Sequence, residues 1–134
     1  MYKEKVEFLA SQARKLDPYY EKVNSKKIFW EFQDEFDEAV IEFKNNNIKG
    51  LEWELWDIFW DFQLLLNKLE DEGKIEINNI YKNIYEKMSS RKSFLMENKK
   101  VTENEAIEIW NKAKVKEWYS KDRLWDNERT ELYK

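Results

Sequence analysis

The sequence of 134 residues contains no cysteine and no histidine. Without cysteine, disulfides, thiolate metal sites and cysteine nucleophiles are excluded. Without histidine, histidine-based catalytic triads, zinc hydrolase sites and the Glu-x-x-His motif of di-iron bundles are excluded as well. Any catalysis must therefore use carboxylates, lysine, arginine, tyrosine or serine.

Glycine and proline are scarce, with two and one in the whole chain. This leaves little turn chemistry for a many-stranded fold, whereas 39% charged and 42% hydrophobic residues suit long amphipathic helices around a core. We expect an all-α protein with one domain over residues 1–134. The predicted architecture is an antiparallel bundle of about four to five helices, with a four-helix core completed or extended by homo-oligomerisation.

Long apolar runs and excess positive charge are also missing. No run approaches the roughly 20 residues of a membrane helix, and the first fifteen residues lack the apolar centre of a signal peptide. The net charge of −4 argues against nucleic-acid binding, because such proteins carry a basic face. We expect a soluble, cytoplasmic protein with neither a nucleic-acid nor a membrane partner.

Apolar periodicity predicts five helices, at roughly residues 2–16, 25–44, 51–69 and 76–96, and after the capping box of residues 102–105. The first helix ends before Asp17-Pro18, because the residue preceding a proline disfavours helix. Gly73 is predicted to end the third helix in the left-handed conformation. The tail, residues 120–134, has no period and is left unassigned.

Both the second and the third helix carry three acids at helical spacing. These are Glu35, Glu38 and Glu42 on the second helix, and Glu54, Asp57 and Asp61 on the third. Such acids usually face solvent and pair with a lysine four residues on, but Glu54 and Asp57 are followed at that spacing by Ile58 and Asp61. If the two helices pack antiparallel about 8–10 Å apart, four carboxylates can meet and would require cations.

The flanks of the third helix are both apolar. Leu51, Leu55, Ile58, Phe62, Leu65 and Leu69 lie on one flank, and Trp53, Trp56, Trp60 and Leu64 on the other. We expect the first flank to face the core of the chain and the second to contact another subunit or a ligand.

Oxygen-only ligands favour Mg²⁺, with Mn²⁺ as a substitute, and Mg²⁺ commonly shares its coordination sphere with phosphates. Lys87 and Arg91 lie one turn apart on the fourth helix and can supply the basic groups that phosphates need. The alternative for this pair is a solvated basic face. Carboxylates, metal and a basic helix together indicate phosphoanhydride chemistry.

The spacing Glu35-x-x-Glu38 followed by Glu54-x-x-Asp57 resembles the ExxE…ExxD signature of the all-α nucleoside triphosphate pyrophosphohydrolases, in particular the MazG-like branch. DEFDE at 34–38 is similar to the family's EExxE, and LEWELWDIFW at 51–60 to its LEEELGDLLF. KMSSR at 87–91 is similar to KFxxR, and TENEAIEIWNKAKVKE at 102–117 to the segment that follows. The resemblance covers about residues 26–117, and it departs from the pattern at Asp34, Trp56 and Tyr85.

The resemblance implies Mg²⁺-dependent hydrolysis of a nucleoside triphosphate to the monophosphate and pyrophosphate, as nucleotide-pool housecleaning. It implies that Glu35, Glu38, Glu54 and Asp57 hold the metal, and that Glu35 or Glu38 also acts as the catalytic base. Lys87 and Arg91 would bind the β- and γ-phosphates. Asp34, Asp61 and Glu42 would support the metal ligands from one turn away, and the family implies a homodimer or a dimer of dimers.

For Trp53, Trp56 and Trp60 we favour packing in the core or at a dimer interface over contact with the base, because aromatic stripes at helical spacing mostly pack. Phe29 and Trp30 lie beside the acids of the second helix and are further candidates for contact with the base. Two alternative functions stay open. One is a narrower enzyme of the same superfamily, acting on dUTP, dCTP or phosphoribosyl-ATP, and the other is a helical scaffold or regulatory protein without turnover.

Overall fold

The structure, a computed structural model, describes residues 1–120. Within this range there are seven helices and no strand, which confirms the all-α prediction. The helices are α1 (Tyr2–Leu16), α2 (Pro18–Lys22), α3 (Ser25–Lys44), α4 (Ile48–Asp71), α5 (Ile77–Arg91), α6 (Ser93–Met96) and α7 (Glu103–Ser120). None of them is long and apolar enough to cross a membrane. The part of the unassigned tail after Ser120 lies outside the described residues.

The chain forms two compact units, residues 1–77 and residues 78 onward. The first contains α1 to α4, and the second contains the rest of α5 with α6 and α7. The expectation of a single domain over the whole chain stays a prediction.

A helix that was not predicted, α2, follows the proline that ends α1. The carboxylate of Asp17 accepts a hydrogen bond from the backbone N–H of Tyr19 at 2.9 Å, and Pro18 occupies the first turn. Asp at the cap and Pro at the first position are both favourable starts for a helix. The segment after Pro18 therefore turns into a short helix that carries Tyr20 into the core.

The hairpin of α3 and α4 is the main element of the first unit. Asn24 caps α3 by accepting from the N–H of Lys27, and Asn47 caps α4 by accepting from the N–H of Gly50. Between the helices Asn46 adopts the left-handed φ of 56° that lets the chain reverse. Because Asn47 is the cap, α4 begins earlier than the predicted residue 51.

The end of α4 confirms the prediction for Gly73. Its φ is 74°, its N–H donates to the carbonyl of Glu70, and the N–H of Lys74 donates to the carbonyl of Leu69. These two bonds form a Schellman motif, in which glycine avoids the steric penalty of the left-handed residue.

The core of the first unit lies where α1 and α2 cover one end of the hairpin. Tyr20, Val23, Ile28, Leu64 and Leu65 are buried there, with Ala13, Trp60 and Leu69 packed against them. The flank assignments of four residues of the third predicted helix are therefore corrected: Trp60 and Leu64 lie on the core side, whereas Leu55 and Phe62 are 43% and 45% exposed. The reason is that α1 and α2 cover only the second half of α4.

In the second unit the predicted helix over residues 76–96 is broken at Lys92, whose φ and ψ of −130° and 52° are not helical. This prediction is corrected to two helices, α5 and α6. Thr102 accepts a hydrogen bond from the N–H of Glu105 at 3.2 Å, as the capping box predicted for the start of α7. Arg91 of α5 pairs with Glu117 of α7, and Ala113 is buried.

Candidate functional site

A cluster of acids lies between the two arms of the α3–α4 hairpin. Glu38 and Glu54 each lie eight residues from Asn46 at the turn, and Glu35 and Asp57 each lie eleven residues from it. Residues equidistant from the turn stand at the same height in an antiparallel pair, and a spacing of three keeps each pair on one helix face. The sequence thus places two acids opposite two others.

Three of the four predicted ligands have carboxylate oxygens within 4.8 Å of one another, namely Glu35, Glu38 and Glu54. Asp57 is not part of this triad, but it is close enough to raise the pKa of Glu35 through its charge and a shared hydrogen bond. The hairpin therefore brings the predicted carboxylates together, while their roles stay predictions.

Two oxygens of this cluster have no partner. The Oε2 atoms of Glu35 and Glu54 are buried and receive no hydrogen bond within the described part of the chain. A buried carboxylate oxygen without a donor is costly, so the cluster must take up a proton or a cation. Three convergent carboxylates present only hard oxygen donors, which fit a divalent cation such as Mg²⁺ or Mn²⁺.

In the metal-free protein a proton fills this role. Burial, then hydrogen bonding with Glu54 and the charge of Asp57, raise the pKa of Glu35 to about 8. The pKa of Glu38 is also raised, chiefly by its hydrogen bond with Glu54 and the charge of Glu54. A hydrogen bond between two carboxyl groups, such as those that Glu35 and Glu38 make with Glu54, requires that one of the two groups is protonated.

The row of acids on α4, formed by Glu54 and Asp57, continues one turn farther with Asp61. Burial raises the pKa of Asp61 to about 6, with contributions from the charges of Glu31 and Asp57. Glu31 accepts a hydrogen bond from the hydroxyl of Tyr19 at 2.6 Å. Asp61 thus extends the field of the cluster toward α2, and its predicted supporting role stays a prediction.

Two further acids of α3, Asp34 and Glu42, lie outside the carboxylate cluster and have different surroundings. Asp34 is exposed, and its charge helps to raise the pKa of Glu38. Glu42 lies against the first turn of α4, where a Cβ on Gly50 would collide with its carboxylate and with Asn47. Gly50 was not singled out in the sequence, although a glycine four residues before Glu54 was the available signal for this close approach.

The four tryptophans of α3 and α4 divide into two groups. Trp30, Trp53 and Trp56 are 60%, 63% and 60% exposed, and the rings of Trp53 and Trp56 meet edge to face at 5.6 Å. Trp60 instead is partly buried and packs against the core, and its place at an interface or a base stays a prediction. On α3, a groove of about 540 Å³ is lined by Phe29, Trp30, Phe32, Gln33 and Phe36.

The two predicted phosphate ligands lie on α5 in the second unit. Lys87 is exposed. Arg91 is committed to Glu117, its Nη2 lying 2.6 Å from the carboxylate, with both side chains 17% exposed and the guanidinium 5.1 Å from the ring centre of Trp110. This pairing raises the pKa of Arg91. Sequence reasoning missed Glu117, because a lone acid at the end of a charged segment gives no sign of its partner.

The chain is similar to known proteins in sequence and in fold. The family model for the MazG nucleotide pyrophosphohydrolase domain matches residues 24–95, more than half of the chain. The chain is also similar to a MazG-related protein from Thermotoga maritima, known from a crystal structure, with a TM-score of 0.76 at 24% identity. The match covers 83% of this chain and 97% of that one, and at this identity it supports the fold. Among curated proteins, none matches the sequence.

Proposed function

This chain belongs to the MazG nucleotide pyrophosphohydrolase domain family, and we propose from that premise that it hydrolyses nucleoside triphosphates in a divalent-metal-dependent reaction, with Mg²⁺ as the natural ion. The reaction is the attack of water on the α-phosphorus, which breaks its bond to the oxygen bridging to the β-phosphorus. The products are the nucleoside monophosphate and pyrophosphate, and the proton of the attacking water passes to a base and then to solvent.

The observation that carries this proposal is the pair of unpartnered, buried oxygens on Glu35 and Glu54 within the carboxylate triad. A structural acid is normally paired, and Glu72 of the same chain illustrates this by accepting two hydrogen bonds from Ser25. Acids that converge without donors suit a site completed by a cation and substrate.

Glu35, Glu38, Glu54 and Asp57 would hold the metal. A divalent cation bound there would polarise a phosphoryl oxygen and lower the pKa of a coordinated water. Glu35 or Glu38 would orient the attacking water and take its proton. Lys87 and Arg91 would bind the β- and γ-phosphates.

We also propose that the exposed aromatic face around Trp53 and Trp56 packs against a second copy of the chain. In the first unit, α1 and α2 cover only the far half of α4, which leaves these two side chains in contact with each other but mostly exposed. Large aromatic side chains that share a face favour a subunit interface. The proposal includes a cytoplasmic location, where nucleoside triphosphates are abundant.

The test is a panel of canonical and modified triphosphates, incubated with Mg²⁺ and analysed by ³¹P NMR. Monophosphate with pyrophosphate is the expected product pair. Diphosphate with inorganic phosphate would contradict the site of attack, and no turnover of any substrate with Mg²⁺ or Mn²⁺ would favour a scaffold. Turnover confined to dUTP, dCTP or phosphoribosyl-ATP would narrow the enzyme to a specialist.

A further inference from the structure

The outer face of α3 carries a stripe of side chains that is not part of the core of the first unit. Its five members recur at alternating spacings of four and three residues. They are Phe29, Gln33, Phe36, Val40 and Phe43. The three phenylalanines are 52%, 54% and 72% exposed and Val40 is 37% exposed, whereas the buried residues of the helix, Ile28 and Ala39, lie on another face. We call this set the outer stripe of α3.

The spacing of the outer stripe is that of a helix-pairing seam. Alternating steps of four and three residues repeat every 3.5 residues on average, which is the pattern of a two-helix coiled coil rather than of a broad core-facing surface. From Phe29 to Phe43 the stripe is about 21 Å long at 1.5 Å per residue. The groove of about 540 Å³ on α3 lies along its first half, at Phe29, Gln33 and Phe36. A straight helix of about four turns would cover the stripe.

The single polar member of the stripe, Gln33, indicates which helix covers it. Its side-chain amide both donates and accepts hydrogen bonds. Opposite an apolar residue this amide would be buried without a partner, which is unfavourable. Opposite a second Gln33, each amide can donate to the other. One polar residue in an otherwise apolar seam commonly sets the register of a coiled coil in this way. The stripe is therefore complementary to a copy of itself.

The orientation of the two helices follows from the position of Gln33 in the stripe. In an antiparallel pair centred on Gln33, Val40 would face Lys26 and Phe43 would face Val23, which precedes the helix. In a parallel, in-register pair each of the five members faces its own copy.

The residues that flank the seam permit the parallel pair as well. In such a pair Asp37 would face Phe32 of the other helix, and Lys44 would face Ala39. No two like charges meet across the seam, so the flanks do not oppose the pairing.

We propose that α3 pairs in parallel with α3 of a second copy of this chain, with Gln33 opposite Gln33. This surface is separate from the one proposed around Trp53 and Trp56, which lies on α4. Two different two-fold interfaces on one chain generate a dimer of dimers. The pairing of α3 is a property of the outer stripe and does not depend on the proposed reaction.

The first test is disulfide cross-linking, which the absence of cysteine makes simple, because an introduced cysteine is the only thiol of the chain. In Val40→Cys the two thiols of a parallel pair would lie close enough to form a disulfide. Mild oxidation should therefore give a covalent dimer on a non-reducing gel. Ile41→Cys is the matched control, because Ile41 is 55% exposed but points about 100° away from Val40 around the helix. It should cross-link at least about fivefold less.

The second test is sedimentation of the full chain with a charge placed on the seam. Phe36→Glu should halve the mass of the assembly, because two carboxylates would meet in an apolar layer. Ile41→Glu adds the same charge to an equally exposed side chain of α3 outside the stripe and should leave the mass unchanged. Circular dichroism checks that both variants keep the helical fold.

Equal cross-linking of Val40→Cys and Ile41→Cys would overturn the proposal, and so would an unchanged mass in Phe36→Glu. An assembly that persists without a cross-link in Val40→Cys would assign the stripe to another occupant and would also overturn it. The two interfaces fail separately. If Phe36→Glu halves the mass and Trp56→Glu does not, the interface around Trp53 and Trp56 alone is wrong, and the reverse result contradicts the pairing of α3 alone.

Discussion

The two ends of α4 carry the same residue types in opposite electrostatic states. At the C-terminal end, Asp71 accepts hydrogen bonds from Arg14 and Tyr20, and Glu72 accepts from Ser25 and lies 3.0 Å from Lys74. The hydrogen bonds from Ser25 lower the pKa of Glu72 to about 2. In the N-terminal half, by contrast, Glu54 has a buried oxygen with no donor, and the pKa of nearby Glu35 rises to about 8.

The two sets of acids differ in their structural role. The C-terminal acids stabilise the fold, whereas the N-terminal acids are brought together by it. The C-terminal acids join α1, α2 and the start of α3 to α4, so their charges are used in the metal-free protein. The N-terminal acids repel one another except where two carboxyls share a proton, and the hairpin holds them together. Within α4, an acid that is hydrogen-bonded or ion-paired indicates a structural role. A buried acid without a donor indicates a candidate functional site.

The largest expected effect is the loss of turnover in Glu54→Gln. Removing one carboxylate from the triad should lower kcat by at least about 100-fold, since both metal affinity and its geometry depend on it. Glu70→Gln is the matched control at the other end of the helix and should retain activity within about twofold at 25 °C. Comparable losses in both variants, measured in the same hydrolysis assay, would remove the distinction between the two ends.

A charge on the exposed aromatic face should disrupt assembly. Trp56→Glu places an unpaired carboxylate at the proposed interface, where burial of a charge costs several kcal/mol. Sedimentation should detect dissociation of the oligomer together with reduced activity, whereas Trp56→Phe should remain assembled. An unchanged assembly with an altered nucleotide preference would instead assign Trp56 to the base pocket.

At the paired end, Asp71→Ala should destabilise the fold without touching the chemistry. The buried Tyr20 would lose the acceptor of its hydroxyl, and Arg14 would lose its nearest anion. Because Asp71 is partly open to solvent, we expect a loss of about 1–2 kcal/mol in the free energy of unfolding. Urea denaturation measures this loss, and kcat at 25 °C should be unaltered. A stable Asp71→Ala variant would show that the pairing is incidental.

The last effect, and the smallest for a change of one pH unit, is a dependence of stability on pH, with opposite signs for the two ends. The pKa of Glu35 is raised from 4.5 to about 8, so the native state retains a proton that the unfolded chain releases, and the metal-free protein should lose stability as the pH rises from 4.5 to 8. The slope should be less than about 1.4 kcal/mol per pH unit, the limit for one proton. Glu35→Gln should flatten it.

Glu72 should act in the other direction and in a lower window. Its pKa is depressed from 4.5 to about 2, so its contribution is present above pH 4.5 and is lost as the pH falls toward 2. Glu72→Gln should remove this acid limb while leaving the limb between pH 4.5 and 8 intact. Thermal melts over pH 2 to 9 in EDTA compare the two, and a shared response of both limbs to either variant would contradict their independence.

The sequence was sufficient for the elements whose signals are local. The end of α1 before Pro18, the left-handed Gly73 and the capping residue Thr102 all act within one helical turn. The meeting of the acids was also predictable, because spacing around a short turn determines which residues of a hairpin stand opposite one another.

The sequence did not show which helices cover α4. Trp60 and Leu64 were assigned to an outer flank because the helical period alone does not say which side of α4 is covered, and α2, which helps to cover it, was not foreseen. Likewise, the sequence did not reveal that Glu117, 26 residues away on α7, pairs with Arg91. Such contacts depend on tertiary packing, which local periodicity does not encode.

The most direct test of the central claim is the binding of Mn²⁺ to the nucleotide-free protein, followed by electron paramagnetic resonance. If the unpartnered acids of the hairpin are a metal site, Glu54→Gln should weaken Mn²⁺ binding by at least about tenfold, while Glu70→Gln should leave it unchanged. Equal Mn²⁺ affinity in the wild type and Glu54→Gln would contradict the account, because the cluster would then be an acidic surface without a metal.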